Sequence, residues 1–208
     1  CDFAVLALPF NTIASVLPQG GDAEPLRRTA AQLESSPITG IHLWFDRQIT
    51  DLPHAVLLDR TIQWMFHKSQ LLGREKDGGS YLELVVSSSK GLVEKSRNEI
   101  VNLAVRELGE FFPAAREARL LKATVIKEVH ATYSPAPGVD QHRPPAVTAW
   151  PRVFLAGDWA ATGWPATMEG AVRSGYIAAE GLARAAGMRG SRFLVPDLPA
   201  RGLMRLLA

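Results

Sequence analysis

The hydrophobic pattern of the chain changes period several times, and each change marks an element. Residues 3–8 (FAVLAL) are uninterrupted apolar positions closed by Pro9. Such a run suits a strand covered on both faces. Asn11 is placed to cap a short helix over 12–17, which Pro18 and Gly20-Gly21 end. Asp22 is placed to cap a second helix reaching about Leu33, with Leu26, Ala30 and Leu33 on one face. The period then falls to two. Over 38–46, Ile41, Leu43 and Phe45 alternate with His42, Trp44 and Asp46, as in a half-buried strand. Residues 55–59, 61–68 and 80–88 read as three more strands, with Asp77-Gly78-Gly79 as the turn that makes 61–88 a hairpin.

A helical period returns from about Leu92 to Phe112. Val93, Arg97, Ile100, Val101, Ala104, Leu108 and Phe111 share one face there, and Pro113 stops the helix. Residues 119–133 alternate again as a long strand. The stretch 134–151 holds five prolines and reads as a loop. A short apolar strand (152–156), a Gly-Asp turn and a helix from about Pro165 to Ala186 follow, with Gly187 as the stop. Strands 3–8 and 152–156 are assigned to one sheet. The expected fold class is therefore α/β (α+β). Residues 1–20 and 145–190 form one domain, 21–144 form a second, inserted mixed-sheet and helix domain, and 191–208 form a tail.

Composition narrows this picture. Hydrophobic content of 47% and charged content of 21% describe a globular chain. The 23 basic and 21 acidic residues are mixed along the sequence, which gives nucleic acid no basic stripe to bind. No apolar run is long enough to span a bilayer. Cys1 is the single cysteine, which fits a cytoplasmic setting and excludes an internal disulfide. No GxSxG and no HExxH occurs, so hydrolase and zinc-protease chemistry is disfavoured and no metal site is expected.

The informative chemistry lies in VFLAGDWAATGWPATMEGAVRSG (153–175). Gly157 permits a tight turn and close approach of a ligand. Asp158 follows the carboxyl end of a strand, where open α/β sheets bind ligands. A carboxylate there accepts hydrogen bonds from hydroxyls and suits a sugar or ribitol chain. Residues 160–163 keep the loop thin. With Pro165 as the first helical residue, the amides of Ala166, Thr167 and Met168 are the free donors of the helix start and favour a negative ligand group. Gly170, Ala171, Ser174, Gly175, Ala178 and Ala179 give the helix a small-residue face. Packing on the sheet explains that face as well as a ligand does.

The run A-G-D-x-x-A-x-x-x-W-P-x-x-M-E-G-A-V-x-S-G (156–175) resembles the C-terminal flavin-binding signature of the FAD-dependent amine-oxidase and phytoene-desaturase superfamily. The resemblance implies FAD as cofactor and a Rossmann-like FAD-binding domain interrupted by a substrate domain. It implies flavin contacts at Gly157, Asp158, Trp164, Pro165, Ala166, Thr167 and Met168. The superfamily's GxGxxG is absent, so the chain is expected to be a fragment, inactive alone. Four stretches resemble the hydroxysqualene dehydroxylase branch in particular: ALP (7–9), PITGIHLWFD (37–46), FHKS (66–69) and the 156–175 run. FLVPDLPARGLMRLL (193–207) resembles it too.

That branch implies reductive dehydroxylation of an apolar isoprenoid, hydroxysqualene, to squalene for hopanoid synthesis. Trp44, Phe45, Trp64, Met65 and Phe66 are candidates to line the tunnel, with Trp44, Trp64 and Phe66 foremost, and ordinary sheet core is the competing reading for at least half of the five. Carotenoid desaturation and amine oxidation are the alternatives among enzymes, and a flavin-free lipid-binding remnant is the alternative outside them. No general acid is identified. Glu169, His42, His67 and His130 are candidates by residue type only. Residues 193–207 hold apolar side chains able to meet lipid, so peripheral contact at the inner face of a membrane is a further expectation. Packing against the domain competes with it.

Overall fold

The computed structural model describes all residues except 75–77, 191, 200, 207 and 208. Asp77 of the expected turn and Leu207 of the tail therefore lie outside the described residues. The chain divides into two compact units, Cys1–Leu33 with Pro135–Ala208, and Glu34–Ser134. The sequence reading placed the boundaries at 20/21 and 144/145. Residues 24–31 fall in the first unit because they form a helix that packs on helix 10–16.

In the first unit, β1 (Ala4–Ala7) pairs in parallel with β7 (Val153–Ala156) in the register Ala4↔Val153 to Ala7↔Ala156. Two apolar runs almost 150 positions apart thus become neighbours, as their patterning implied. Helix α1 (Phe10–Val16) starts earlier than expected, with Pro9 rather than Asn11 at its N-cap. Helix α2 (Glu24–Ala31) follows a single tight turn at Gly21–Ala23, so Asp22 sits in that turn and does not cap the helix. The long helix α6 (Met168–Ala185) lies against β7. Ala178 and Gly181 serve this packing. A Cβ on Gly181 would come 2.6 Å from Val147 Cγ2 and 3.1 Å from Phe154 Cε1.

The second unit is a five-stranded antiparallel sheet. Its strands are β2 (Ser35–Phe45), β3 (His54–Val56), β4 (Trp64–His67), β5 (Ser80–Ser87) and β6 (Leu120–Tyr133), in the order β3-β4-β5-β2-β6. Strands β4 and β5 pair as expected, with the short helix α3 (Lys68–Leu71) between them. Strand alternation sends Ile41, Leu43, Phe45, Met65, Leu82 and Leu84 into one core with Ile100, Ala104 and Leu108 of α4 (Arg97–Phe111). A short helix, α5 (Ala114–Glu117), follows. Helix α4 begins later than its apolar period suggested. Ser96 and Glu99 form a reciprocal capping box there, which satisfies amide donors that the helix leaves open. The Ser96 hydroxyl and amide hold the Glu99 carboxyl below the usual range.

One buried charge in this core escaped the sequence reading. Glu107, 5% exposed, accepts the amides of Thr61 (3.3 Å) and Ile62 (2.9 Å). A carboxylate inside an apolar core is tolerated only with such partners. Replacing it should leave both amides short of an acceptor. Glu107→Ala is expected to lower stability by roughly 1–3 kcal/mol, read by denaturant unfolding.

Candidate functional site

The turn between β7 and α6 is built from both sides. Gly157 has φ +150°, a conformation that disfavours any side chain. Its amide donates to Ser174 Oγ at 2.7 Å, and Ser174 Oγ donates to the Ala171 carbonyl at 2.5 Å. The helix therefore holds the turn directly. The space beside Gly157 is not open for a ligand. A Cβ there would meet the Trp159 indole at 2.6 Å, and that fully buried indole donates to the Leu8 carbonyl at 2.9 Å. Gly157 is required by Trp159, which ties the turn back to the end of β1.

Arg143, from the proline-rich loop, completes the support. Its side chain is 4% exposed. Nη2 donates to the carbonyls of Asp158 (3.1 Å) and Ala160 (2.6 Å), and Nη1 donates to Asp140 Oδ1 (3.1 Å). Sequence reading passed over this arginine because it lies in a stretch without period. A lone arginine between prolines carried no signal. Asp158 itself is half-buried.

The helix start differs from the expectation. Thr167, in extended backbone (φ −141°, ψ 164°), is the N-cap, and its Oγ1 accepts the Gly170 amide at 3.1 Å. Pro165 and Ala166 thus precede the helix. Among the described residues the amides of Met168 and Glu169 have no hydrogen-bond acceptor. The free donors sit deeper in the sequence than expected, because a threonine in extended backbone caps better than the loop at Trp164. Glycine at 170 is again steric: a Cβ would lie 2.6 Å from the Pro165 carbonyl oxygen. Met168 is 89% exposed, so the helix start is open to a ligand. Two free amides at the positive end of an 18-residue helix suit a negatively charged group.

Trp164 is fixed from outside the turn. The Arg173 guanidinium lies 4.7 Å from its ring centroid, and its Nε1 donates to Asp197 Oδ1 at 3.3 Å. Arg173 bonds Glu169 (2.9 Å) and also Asp197. Glu169 therefore works as an ion-pair partner within the helix. Further along, Glu180 Oε1 accepts the amides of Phe193 and Leu194, both at 2.8 Å. The segment after α6 is strapped back along the helix at both points.

In the second unit the alternation of β2, β4 and β5 puts Trp44, Trp64 and Phe66 on the sheet face opposite the core. Trp44 stacks on Tyr81 (4.5 Å), and Trp64 on Phe66 (6.0 Å). Trp64 remains 41% exposed. Phe45 and Met65 are not on this face. Both are buried in the core, one position out of phase with their neighbours. The two aromatic pairs flank a polar middle, where His42 Nδ1 meets Tyr81 Oη (3.0 Å) and Lys68 pairs with Glu83 (3.1 Å). His67 is buried, and His130 is exposed and bonded to Ser35 Oγ (2.8 Å). No cluster able to hold a metal occurs among the described residues.

The family described as flavin containing amine oxidoreductase matches residues 1–183. The chain belongs to this family. Its cofactor is accordingly a flavin, FAD, and the open helix start is compatible with that group. A 15-cis-phytoene desaturase from Synechococcus elongatus is 31% identical over 187 residues, which cover 87% of this chain and 40% of the relative. A hydroxysqualene dehydroxylase from Sinorhizobium fredii is 31% identical over 179 residues, covering 86% and 38%. The chain thus spans about two-fifths of the length of these relatives. Reduced UDP-galactopyranose mutase shares the fold at a TM-score of 0.61 and 13% identity, over 89% of this chain and 42% of that one. Putrescine oxidase bound to putrescine does so at 0.56 and 15%, over 89% and 42%. The flavoprotein oxidoreductase reading of the motif and the α/β fold class agree with these findings.

Two outcomes follow from this geometry. Arg143→Gln should strand the inward carbonyls of Asp158 and Ala160 and cost roughly 1–3 kcal/mol of stability, seen as a lowered midpoint in thermal or denaturant unfolding. The amides of Leu194 and Phe193 hold the Glu180 carboxyl below the usual glutamate range. A lowered folded-state pKa means the clasp is intact above the ordinary range and lost as pH falls through the lowered value. Amide exchange at Phe193 and Leu194, corrected for intrinsic rate, should therefore stay slow at neutral pH and rise only in acid.

Proposed function

We propose that this chain supplies the flavin-ring half of the cofactor site, together with the substrate sheet, of an FAD-dependent oxidoreductase acting on a long apolar isoprenoid. The first reading is reductive dehydroxylation of hydroxysqualene to squalene. The observation carrying the flavin assignment is the pair of free amides at Met168 and Glu169, opening from a turn that Arg143, Ser174 and Trp159 hold from behind. The isoprenoid class is supported by relatives that are, by name, a hydroxysqualene dehydroxylase and phytoene desaturases. Phytoene desaturases match equally or better, so desaturation is the second reading.

In this proposal, bound FAD supplies two-electron hydride chemistry. The amides of Met168 and Glu169 and the helix dipole favour negative charge on the ring. The Asp158 carboxylate accepts ribitol hydroxyls. Gly157, Trp164, Pro165, Ala166 and Thr167 shape the loop around these groups. Trp44, Trp64 and Phe66 offer the apolar substrate a water-poor surface. In dehydroxylation the substrate hydroxyl leaves with a proton as water and its carbon takes the hydride. In desaturation the substrate gives up a hydride and a proton.

The test uses the full-length protein. Hydroxysqualene with reduced flavin and phytoene with oxidised flavin are supplied separately. Squalene formation supports the first reading, and desaturated phytoene supports the second. Turnover of neither, with oxidation of an amine instead, would overturn the isoprenoid proposal. Asp158→Ala should weaken FAD retention by roughly 1.5–3 kcal/mol, the value of a hydrogen bond to a charged acceptor. Unchanged flavin occupancy would remove the ribitol role.

A further inference from the structure

The sheet face that carries Trp44, Trp64 and Phe66 also carries a neutral polar pair, for which a pure hydrocarbon has no use. His42 of β2 and Tyr81 of β5 are half-buried, and His42 Nδ1 lies 3.0 Å from Tyr81 Oη. The pair sits between the two aromatic stacks. Tyr81 lies flat on Trp44, with 7° between the ring planes. In the strand register His42 opposes Glu83, and Glu83 opposes Phe66, which stacks on Trp64. The next position of β2 on this face is Gly40, opposite Val85 of β5 and Ile126 of β6. Apart from adjacent residues, a Cβ on Gly40 would find one heavy atom within 4 Å, His42 Nε2 at 3.8 Å. The imidazole thus leans toward a gap that glycine keeps free of a side chain. Nε2 stands at its edge and has no hydrogen-bond partner among the described residues.

The chemistry of the pair selects a ligand group. A neutral imidazole has one donor and one acceptor nitrogen, and a phenol both donates and accepts. Their mutual bond uses one donor and one acceptor. If Tyr81 Oη donates to Nδ1, then Nε2–H is left to donate and Oη to accept. In the other tautomer Nε2 accepts and the phenol O–H donates. In either state the pair offers one donor and one acceptor, and a hydroxyl can bond to both kinds. An amine cation is poorly matched here. Glu83, the carboxylate opposite His42, is already paired with Lys68 at 3.1 Å, and Lys122 Nζ lies 4.7 Å from the Trp44 ring centroid. A hydrocarbon laid across the pair would take both groups from water and return no hydrogen bond.

We propose that His42 and Tyr81 are the hydroxyl-recognition element of the substrate sheet, bonding the alcohol group of an otherwise apolar isoprenoid. The inference rests on the reading that this face meets the substrate. Its test separates binding from turnover. Full-length protein with oxidised flavin cannot reduce hydroxysqualene, so equilibrium binding of hydroxysqualene and squalene is compared in the same detergent. The wild type is expected to bind the alcohol roughly three- to tenfold more tightly than squalene, the equivalent of one hydrogen bond. Tyr81→Phe, which keeps the ring stacked on Trp44, and His42→Phe should each abolish that preference. Squalene affinity and the flavin spectrum should stay unchanged in both. A preference that survives both substitutions would overturn the inference and leave the reading of the reaction intact. So would a wild type that turns over hydroxysqualene yet binds it no better than squalene. A wild type that desaturates phytoene and binds neither compound would overturn both.

Discussion

Two parallel strands cannot be joined by a tight turn, and β1 and β7 are parallel neighbours in one-to-one register. The chain between them must leave the sheet and return. Here the excursion runs from α1 to the proline-rich loop and contains the whole Glu34–Ser134 unit. Everything specific about the first unit follows from closing that loop. The turn after β7 is positioned because β7 is fixed beside β1. Trp159 reinforces the same junction by bonding the Leu8 carbonyl just beyond β1.

The turn then works by dividing its polar groups between two sides. Carbonyls of Asp158 and Ala160 point inward to Arg143, and the Gly157 amide points to Ser174. The amides of Met168 and Glu169 have no acceptor among the described residues and lie at the open helix start. Two carbonyls and one amide of the turn are thus engaged from behind, while two amides at the helix start stay open. That division is obtained from a buried guanidinium, a serine and a helix axis.

How much of this could be read from the chain differs by element. The β1–β7 pair was visible as two uninterrupted apolar runs, and the long α4 and the alternating strands because each buries a face with a clear period. The turn after β7 was visible as a motif, since Gly157, Pro165 and Gly170 are residues with few roles. The reason for two of those glycines was not visible. Gly157 answers to an indole two residues on, and Gly170 to the carbonyl of Pro165. Steric demands of that kind leave no periodic trace. Arg143 and Glu107 were hidden for a related reason. Each acts on backbone atoms distant in sequence, and nothing local marks a charged side chain as buried. Phe45 and Met65 separated from Trp44, Trp64 and Phe66 through alternation alone, so the aromatic cluster in the sequence split between two faces of the sheet.

The separation of β1 from β7 also has a consequence in time. A ribosome releases β1 long before β7, and the intervening strands pair only among themselves, so their sheet can form before β7 emerges. The parallel pair, with its long sequence separation, closes afterwards. Until then β1 is a short apolar strand without its partner. The turn after β7, which depends on that closure, is thus among the last features of the chain to take shape.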